Sequence, residues 1–225
     1  MRKEYNVLII DDHPLISEAY KSAFFQVTKR DENTTFRISV VDNCDDANER
    51  IIEASKGKAL DVVFLDIKLP SSKKKEILSG EDLGIKIKKL LPKTKVIIST
   101  TYNDNYRIHS IFKNVNPEGF LIKNDISPQE LVSSIETVIK DPPYYSQTVI
   151  KLLRKEVANE FVLDKIDRQL LYELSIGTKM KDLPKVLPLS IAGVEKRKRI
   201  LRELFDVYER GDKWLIKIAT EKGFI

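Results

Sequence analysis

The feature that most constrains the fold is an alternation of short apolar runs with segments of helical periodicity. The apolar runs lie at residues 6–11, 36–42, 61–66, 95–100 and 119–123. Helical spacing of apolar residues follows each run, at residues 14–29, 45–54, 84–91, 105–113 and from 127 onward. Runs that are apolar throughout are typical of strands buried on both faces. Five such strands alternating with five helices predict a doubly wound, five-stranded parallel α/β sheet.

The pattern changes after Asp141, where two prolines interrupt it. Beyond that point only helix-like segments follow, at residues 164–174, 181–187, 191–205 and 212–222. A helix, a turn at Gly177, a short helix, a tight turn and a basic helix together predict an all-α helix-turn-helix domain. We therefore expect one domain over residues 1–141, a linker over 142–160 with a helix in 146–160, and a second domain over 161–225.

Charge and cysteine content suggest different environments for the two halves. The net charge of +5 comes entirely from residues 142–225, which carry 17 Lys and Arg against 12 Asp and Glu. A basic domain beside a neutral one is expected to meet a polyanion. Because Cys44 is the only cysteine, no disulfide forms within the chain, and a reducing cytoplasm is the expected location. No apolar run approaches the roughly 20 residues of a membrane span, and no signal peptide is expected.

Polar residues follow or end four of the predicted strands. Asp11 and Asp12 close the first strand, Asp66 ends the third, Thr100 the fourth and Lys123 the fifth. Ligands of open α/β sheets bind at this carboxyl edge. Three crowded carboxylates repel one another unless a cation lies among them, and hard oxygen ligands suit Mg²⁺. With such an ion bound, one carboxylate is able to attack phosphorus while lysine and hydroxyl groups stabilise the phosphoryl oxygens.

The order of these motifs resembles the receiver domain of bacterial two-component response regulators, over about residues 5–140. The opening motif at residues 11–14, Asp-Asp-His-Pro, resembles the NarL/FixJ subfamily. The resemblance implies a flavodoxin-like receiver fold in which a sensor histidine kinase phosphorylates Asp66. It further implies roles for the neighbouring residues: Mg²⁺ held by Asp11, Asp12, Asp66 and the Lys68 backbone carbonyl, phosphoryl oxygens bound by Thr100 and Lys123, and Phe120 as the switch aromatic.

Residues 161–225 resemble the LuxR-type helix-turn-helix domain in their apolar and turn positions. The resemblance implies double-stranded DNA as a partner and a homodimer when the protein is phosphorylated. The basic residues expected to contact DNA are Lys196, Arg197, Lys198, Arg199 and Arg202. This chain reads Gly193-Val194-Glu195 where the family often has Thr-Val-Lys. Since Glu195 either accepts from cytosine N4 or repels phosphate, the target sequence of the family does not carry over.

Two departures and two alternatives accompany this interpretation. Residues 71–79 form an insertion with three lysines, interpreted as a solvated loop, and Lys68 occupies a position that lies over the phosphoryl group in the family. A signalling adaptor whose second domain binds protein is one alternative. A Mg²⁺-dependent phosphatase with an aspartate nucleophile is the other, although such hydrolases often carry an acid where Lys68 stands. We expect a transcription regulator that is not an enzyme beyond self-dephosphorylation.

Overall fold

The structure, a computed structural model, describes residues 2–57, 60–102, 105–154, 163–207 and 211–225. The chain divides into two compact units, residues 1–103 with 114–155, and residues 104–113 with 156–225. Within the described residues, no helix is both long and apolar enough to span a lipid bilayer.

The first unit is built on a parallel sheet. Its strands are β1 (Lys3–Ile10), β2 (Thr34–Val41), β3 (Val62–Asp66), β4 (Lys95–Thr100), β5 (Gly119–Ile122) and β6 (Tyr144–Tyr145). Their order is β2-β1-β3-β4-β5-β6, and every pair is parallel. The register places Asp66 opposite Ser99, so that the ends of β3 and β4 lie side by side. The predicted α/β class and five strands are confirmed, and the short β6 extends the sheet by one strand.

Three of the connecting helices begin at side-chain caps that the sequence supplies. The helices of this part of the chain are α1 (Pro14–Arg30), α2 (Cys44–Lys56), α3 (Gly80–Leu90), α4 (Asn105–Val115), α5 (Pro128–Lys140) and α6 (Gln147–Arg154), with a 3₁₀ turn at Lys123–Asp125. Asn43 caps α2, Ser79 caps α3, and Ser127 forms a capping box with Glu130 at α5. These caps end each loop at the carboxyl edge of the sheet and begin the next helix there.

The core of the first unit packs α1 and α5 against the sheet. Phe64 of β3 meets Phe24 and Tyr20 of α1, with ring centroids 5.6 and 4.7 Å apart. Val132 and Ile135 of α5 are fully buried in the same cluster. Burial of this many large side chains fixes α1 and α5 on one face, which positions the loops that precede them.

The second unit includes α7 (Lys165–Ser175), α8 (Leu183–Val186), α9 (Ile191–Leu204) and α10 (Asp212–Glu221). Leu170, Leu183, Val194, Leu201 and Leu215 are fully buried and join these four helices in one apolar core. After α7 the backbone turns at Gly177 with φ of 84°, a conformation that favours glycine.

The described residues thus agree with the predicted helix-turn-helix order. The helix predicted over residues 146–160 is present as α6, and residues 155–160 of that prediction lie outside the described residues. Residues 161–162, with which the predicted second domain begins, also lie outside them.

Candidate phosphoryl-accepting site

Three of the predicted site residues meet at the carboxyl edge of the sheet. Asp11 directly follows β1, Asp66 ends β3, and Lys123 directly follows β5. The Lys123 Nζ lies 2.7 Å from Asp11 Oδ2 and 2.6 Å from Asp66 Oδ2. All three side chains are buried, so the ammonium group joins two carboxylates that would otherwise repel each other at close range.

Asp12 and His13 complete the edge of this cluster. The His13 Nδ1 lies 2.7 Å from Asp12 Oδ1 and 3.3 Å from Asp11 Oδ1. The His13 backbone N–H donates to Asp11 Oδ1 at 3.0 Å, which fixes the turn into α1. The ligand atoms of Asp11, Asp12, His13 and Asp66 all lie within 4.8 Å of one another. The two adjacent aspartates therefore face the same point as Asp66.

The charges of the cluster do not balance. Burial raises the pKa of Asp66, the hydrogen bonds from Lys123 and from the Lys68 backbone oppose this, and the Asp11 carboxylate adds to it. The described cluster therefore holds three carboxylates and one ammonium group, which contacts Asp11 and Asp66. An excess of negative charge on oxygen ligands is what a divalent, hard cation requires, so the residues present fit Mg²⁺. The Lys68 backbone N–H donates to Asp66 Oδ1 at 2.8 Å, which places the Lys68 main chain beside the same carboxylate.

Thr100 and Phe120 are both fully buried, in β4 and β5 respectively. Thr100 ends β4, and its Oγ1 accepts a hydrogen bond from the Tyr102 backbone N–H at 3.2 Å. Phe120 lies in β5 opposite Ile98 of β4, and its carbonyl accepts from the Ser146 N–H at 2.9 Å. Thr100 is thus held by its own loop, whereas Phe120 belongs to the strand that leads to Lys123.

The sequence interpretation missed a hydroxyl pair beside the site. The Tyr20 hydroxyl of α1 donates to Ser99 Oγ at 2.7 Å, and burial raises the tyrosine pKa. Both residues, with Lys123, line a cavity of about 240 Å³ whose other walls are mainly apolar residues of α1 and α5. Ser99 directly follows the apolar residues 96–98 and precedes Thr100 at the end of the strand, and that position could have identified it.

The second unit divides the five predicted DNA contacts into two groups. Lys196 and Arg199 are exposed on α9. Arg197, Lys198 and Arg202 instead make ion pairs within the unit. The Nη1 of Arg197 lies 2.8 Å from Asp164 Oδ2 and 2.6 Å from Asp167 Oδ1. The other two pairs are Lys198 Nζ with Asp212 Oδ2 at 2.7 Å, and Arg202 Nη2 with Asp212 Oδ1 at 2.6 Å.

The start of α9 is regular despite Gly193. The Ser190 hydroxyl accepts from the Gly193 N–H at 3.2 Å, and this N-cap begins the helix at Ile191. Glu195 is exposed one residue before Lys196, so an acidic and a basic side chain stand together on the exposed surface of α9.

The chain is similar to known regulators along its length. A model of the response regulator receiver domain matches residues 7–136. The transcriptional regulatory protein MctR of Rhizobium johnstonii is 25% identical over 226 residues, covering 100% of this chain and 97% of MctR. The oxygen regulatory protein NreC of Staphylococcus haemolyticus is 23% identical over 231 residues, covering 97% of this chain and 98% of NreC.

Solved structures share the fold over both units. RcsB from Salmonella enterica serovar Typhimurium, bound to promoter rprA with phosphomimetic BeF₃⁻, gives a TM-score of 0.66 at 20% identity. The similarity covers 97% of this chain and 99% of the RcsB chain. A structure of two RcsB dimers on two parallel DNAs gives a TM-score of 0.56 at 22% identity, covering 97% of this chain and 98% of that one.

Proposed function

Because the chain belongs to the response regulator receiver family, we propose that it is a cytoplasmic, DNA-binding regulator of a two-component system. A sensor histidine kinase phosphorylates Asp66, which switches dimerisation and DNA binding and so regulates transcription. The observation that carries the proposal is the contact of Lys123 with both Asp11 and Asp66 at the carboxyl edge of a doubly wound sheet. Asp12 faces the same point, which gives the cluster its excess of negative charge.

The proposed chemistry is the transfer of one phosphoryl group. A carboxylate oxygen of Asp66 attacks the phosphorus of phosphohistidine, the P–N bond breaks, and the imidazole leaves, so that an acyl phosphate forms. Lys123 is within hydrogen-bond distance of Asp66 Oδ2 and is placed to bind the incoming oxygens, with Thr100 as the second donor. A Mg²⁺ held by Asp11, Asp12, Asp66 and the Lys68 carbonyl would neutralise charge on the transferred group.

The proposed response to phosphorylation is a change in DNA binding, in which β5 and the second unit take part. Phe120 lies three residues before Lys123, so movement of that lysine onto phosphoryl oxygens is coupled to the strand that carries the switch aromatic. The phosphorylated homodimer then presents two α9 helices to two half-sites of double-stranded DNA. Binding of promoter DNA by RcsB, and the regulatory roles named for MctR and NreC, support this assignment. Lys196 and Arg199 are the basic residues that α9 exposes for phosphate contacts.

A signalling adaptor is the second candidate. Three of the five basic residues on α9 are paired with aspartates of the same unit, and Glu195 adds an acid to the exposed surface. This arrangement lowers the charge available for DNA phosphates. A phosphatase receives no such support, because the side chain two residues after Asp66 is the exposed Lys68 rather than an acid.

The test combines phosphorylation and DNA binding on the same samples. The full chain is incubated with acetyl phosphate and Mg²⁺, the product is measured by intact mass, and its affinity for duplex DNA is measured by fluorescence anisotropy at low salt. We expect one added phosphoryl group, its loss in Asp66→Asn or with EDTA, and tighter DNA binding of the phosphorylated form. Phosphorylation without any DNA binding at low salt would favour the adaptor, and repeated turnover of a phosphate ester would favour the phosphatase.

A further inference from the structure

The inserted residues 71–79, here called the basic loop, expose their lysines as expected from sequence, and their backbone in addition forms an ordered turn. The Ser72 N–H donates to the Ile77 carbonyl at 2.8 Å, and the Ile77 N–H donates to Ser72 Oγ at 3.1 Å. The Lys75 N–H also donates to the Ser72 carbonyl at 2.8 Å. Ser72 and Ile77 are only 5% and 7% exposed, so these two residues fasten the base of the loop to the first unit.

Two aspartates of neighbouring helices hold the basic loop from its sides. The Lys73 N–H donates to Asp45 Oδ2 of α2 at 3.0 Å, and the Leu78 N–H donates to Asp82 Oδ2 of α3 at 2.9 Å. Lys75 adopts a left-handed backbone with φ of 56°, which costs a residue other than glycine about 1 kcal/mol. The hydrogen bonds around it hold this conformation, and the loop therefore keeps a defined shape.

The basic loop ends against the backbone of Asp66. The Gly80 N–H donates to the Ile67 carbonyl at 3.1 Å, and a Cβ at Gly80 would lie 1.8 Å from the Asp66 carbonyl oxygen. Burial raises the pKa of the Cys44 thiol to about 12, with further contributions from Asp45, Asp82 and Asp12. The two aspartates that hold the loop thus act electrostatically on the same buried thiol as Asp12 of the site.

The exposed residues around the site, here called the rim, carry the opposite charge to the site itself. Lys73, Lys74 and Lys75 are exposed on the basic loop, and Lys68 is exposed on the turn after β3. Inside this rim, Asp11, Asp12 and Asp66 outnumber Lys123, so without a divalent cation the site repels an anion, and even with one bound the site adds no net positive charge to attract it. Charges on a fixed loop act over about 10 Å at 0.1 M salt and raise the local concentration of a substrate of opposite sign.

We propose that the basic loop attracts the anionic phosphoryl group of a donor towards Asp66 and so raises the rate of phosphorylation. The proposal rests on the proposed function, because it assigns the loop a part in the same reaction. The ligand chemistry is the phosphoryl dianion, whether it is carried by a small molecule or by a phosphohistidine. Lys73 and Lys74 carry the effect, and both side chains can be removed without touching the backbone bonds that shape the loop.

The experiment measures the second-order rate constant for Asp66 phosphorylation by intact mass over a range of salt concentrations. Acetyl phosphate and a phosphohistidine peptide of neutral composition are the donors, both with Mg²⁺. The test variant is Lys73→Ser/Lys74→Ser on the full chain, and Lys73→Glu/Lys74→Glu extends the series. The matched control is Lys89→Ser/Lys93→Ser, which removes the same charge from exposed positions between the last turn of α3 and the start of β4, at the opposite edge of the sheet.

At low ionic strength we expect the serine variant to be about two- to fivefold slower than the wild type with both donors. The glutamate variant is expected to be slower still, and the control unchanged. The rates should converge at 1 M salt, where charges act over only about 3 Å. Equal rates for loop variant and control would overturn the proposal, as would a slowdown that persists at high salt. A slowdown with the peptide alone would also overturn it, because the loop would then recognise the carrier.

The wild-type measurement separates this proposal from the one on which it rests. If the wild type gains no phosphoryl group at any salt concentration, the proposed function fails. If the wild type is phosphorylated normally and the loop variants match it, only the role of the basic loop fails. Thermal unfolding of each variant confirms that the rates compare folded proteins.

Discussion

The two units of the molecule each contain a cluster of aspartates with basic side chains, and the clusters differ in their balance. At the phosphoryl site, the carboxylates of Asp11, Asp12 and Asp66 stand against one ammonium group in the described cluster, that of Lys123, which contacts Asp11 and Asp66. In the second unit the counts are equal, with Asp164, Asp167 and Asp212 paired to Arg197, Lys198 and Arg202. A balanced cluster satisfies its own charges and stabilises the fold. An unbalanced cluster keeps an excess of negative charge, which favours the binding of a cation.

Asp66 and Asp212 differ in how their carboxyl groups titrate, although burial also raises the pKa of Asp167 in the second cluster. Burial raises the pKa of Asp66 against the opposing effects of Lys123 and the Lys68 backbone. At Asp212 burial acts in the same direction, but hydrogen bonds from Lys198 and Arg202 outweigh it and lower the pKa. Ionised Asp66 is therefore a cost to the folded first unit, whereas ionised Asp212 stabilises the second. Asp66 and Asp212 should therefore respond oppositely to mutation and to pH.

The largest expected effect is the loss of the ion pair between Arg197 and the buried Asp167 in the second unit. Arg197→Ala leaves Asp167 buried without its cation, and we expect it to lower the free energy of unfolding of that unit by about 2–3 kcal/mol. Its exposed neighbour provides the comparison, since Lys196→Ala should change stability by less than about 0.5 kcal/mol. The only tryptophan, Trp214 in α10, reports urea unfolding of this unit by fluorescence.

In DNA binding we expect the opposite ranking of the same two variants, with Lys196→Ala showing the larger effect. Lys196→Ala, measured by anisotropy under conditions in which both variants are folded, should weaken binding and reduce its salt dependence. Arg197→Ala should bind as the wild type does. If Arg197→Ala instead keeps full stability and loses DNA binding, then the ion pairs with Asp164 and Asp167 are not its main role, and the original assignment of five DNA contacts stands.

Sequence alone predicted the first cluster because the end of a strand is recognised from the local pattern of apolar and polar residues. An apolar run that ends in aspartate marks the carboxyl edge, and parallel strands bring all such ends together whatever the loops do. The positions of Asp11, Asp66 and Lys123 therefore followed from the strands that precede them. The excess of carboxylates was visible in the same list of strand ends.

The pairing of the second cluster could not be predicted in this way. Arg197 lies 33 residues from Asp164 and 30 from Asp167, and nothing in the helical pattern of α9 distinguishes it from Lys196. The helical pattern alone placed all five basic residues mostly outward. Which of them is exposed depends on how α7 and α10 pack against α9, and that packing is decided by apolar contacts distant in sequence. The ordered conformation of the basic loop and the formation of the two-residue β6 also depend on contacts between residues distant in sequence.

A smaller effect is expected from removing the charge of Asp66. Without divalent cations, Asp66→Asn should raise the stability of the first unit at pH 7 by about 1 kcal/mol, because a buried carboxylate with too few partners becomes neutral. An acid whose folded pKa is raised makes the protein less stable as pH rises from its ordinary value through the folded one. The advantage of the variant should therefore vanish near pH 4, the ordinary range of aspartate.

Hydrogen exchange of the β1 and β3 amides in the full chain, with EDTA present, measures this difference for the first unit alone. The matched control is Asp42→Asn, which removes a carboxyl group from the end of β2, away from Lys123. A loss of stability in Asp66→Asn at pH 7 would show that Lys123 already satisfies the carboxylate, and the contrast between the two clusters would disappear.

The smallest expected effect has the opposite sign and lies at Asp212. Its lowered pKa means that the ionised carboxylate stabilises the folded unit above the ordinary aspartate range, and that this stability is lost as pH falls through the lowered folded value. Because the side chain is 37% exposed, solvent screens its pairs, and Asp212→Asn should cost less than about 1 kcal/mol at pH 7. Asp206→Asn is the control, since Asp206 is exposed and its φ of 54° is one that asparagine tolerates. Urea unfolding followed by Trp214 should show a cost for Asp212→Asn that shrinks below about pH 4, and a gain at neutral pH would contradict the balanced pairing.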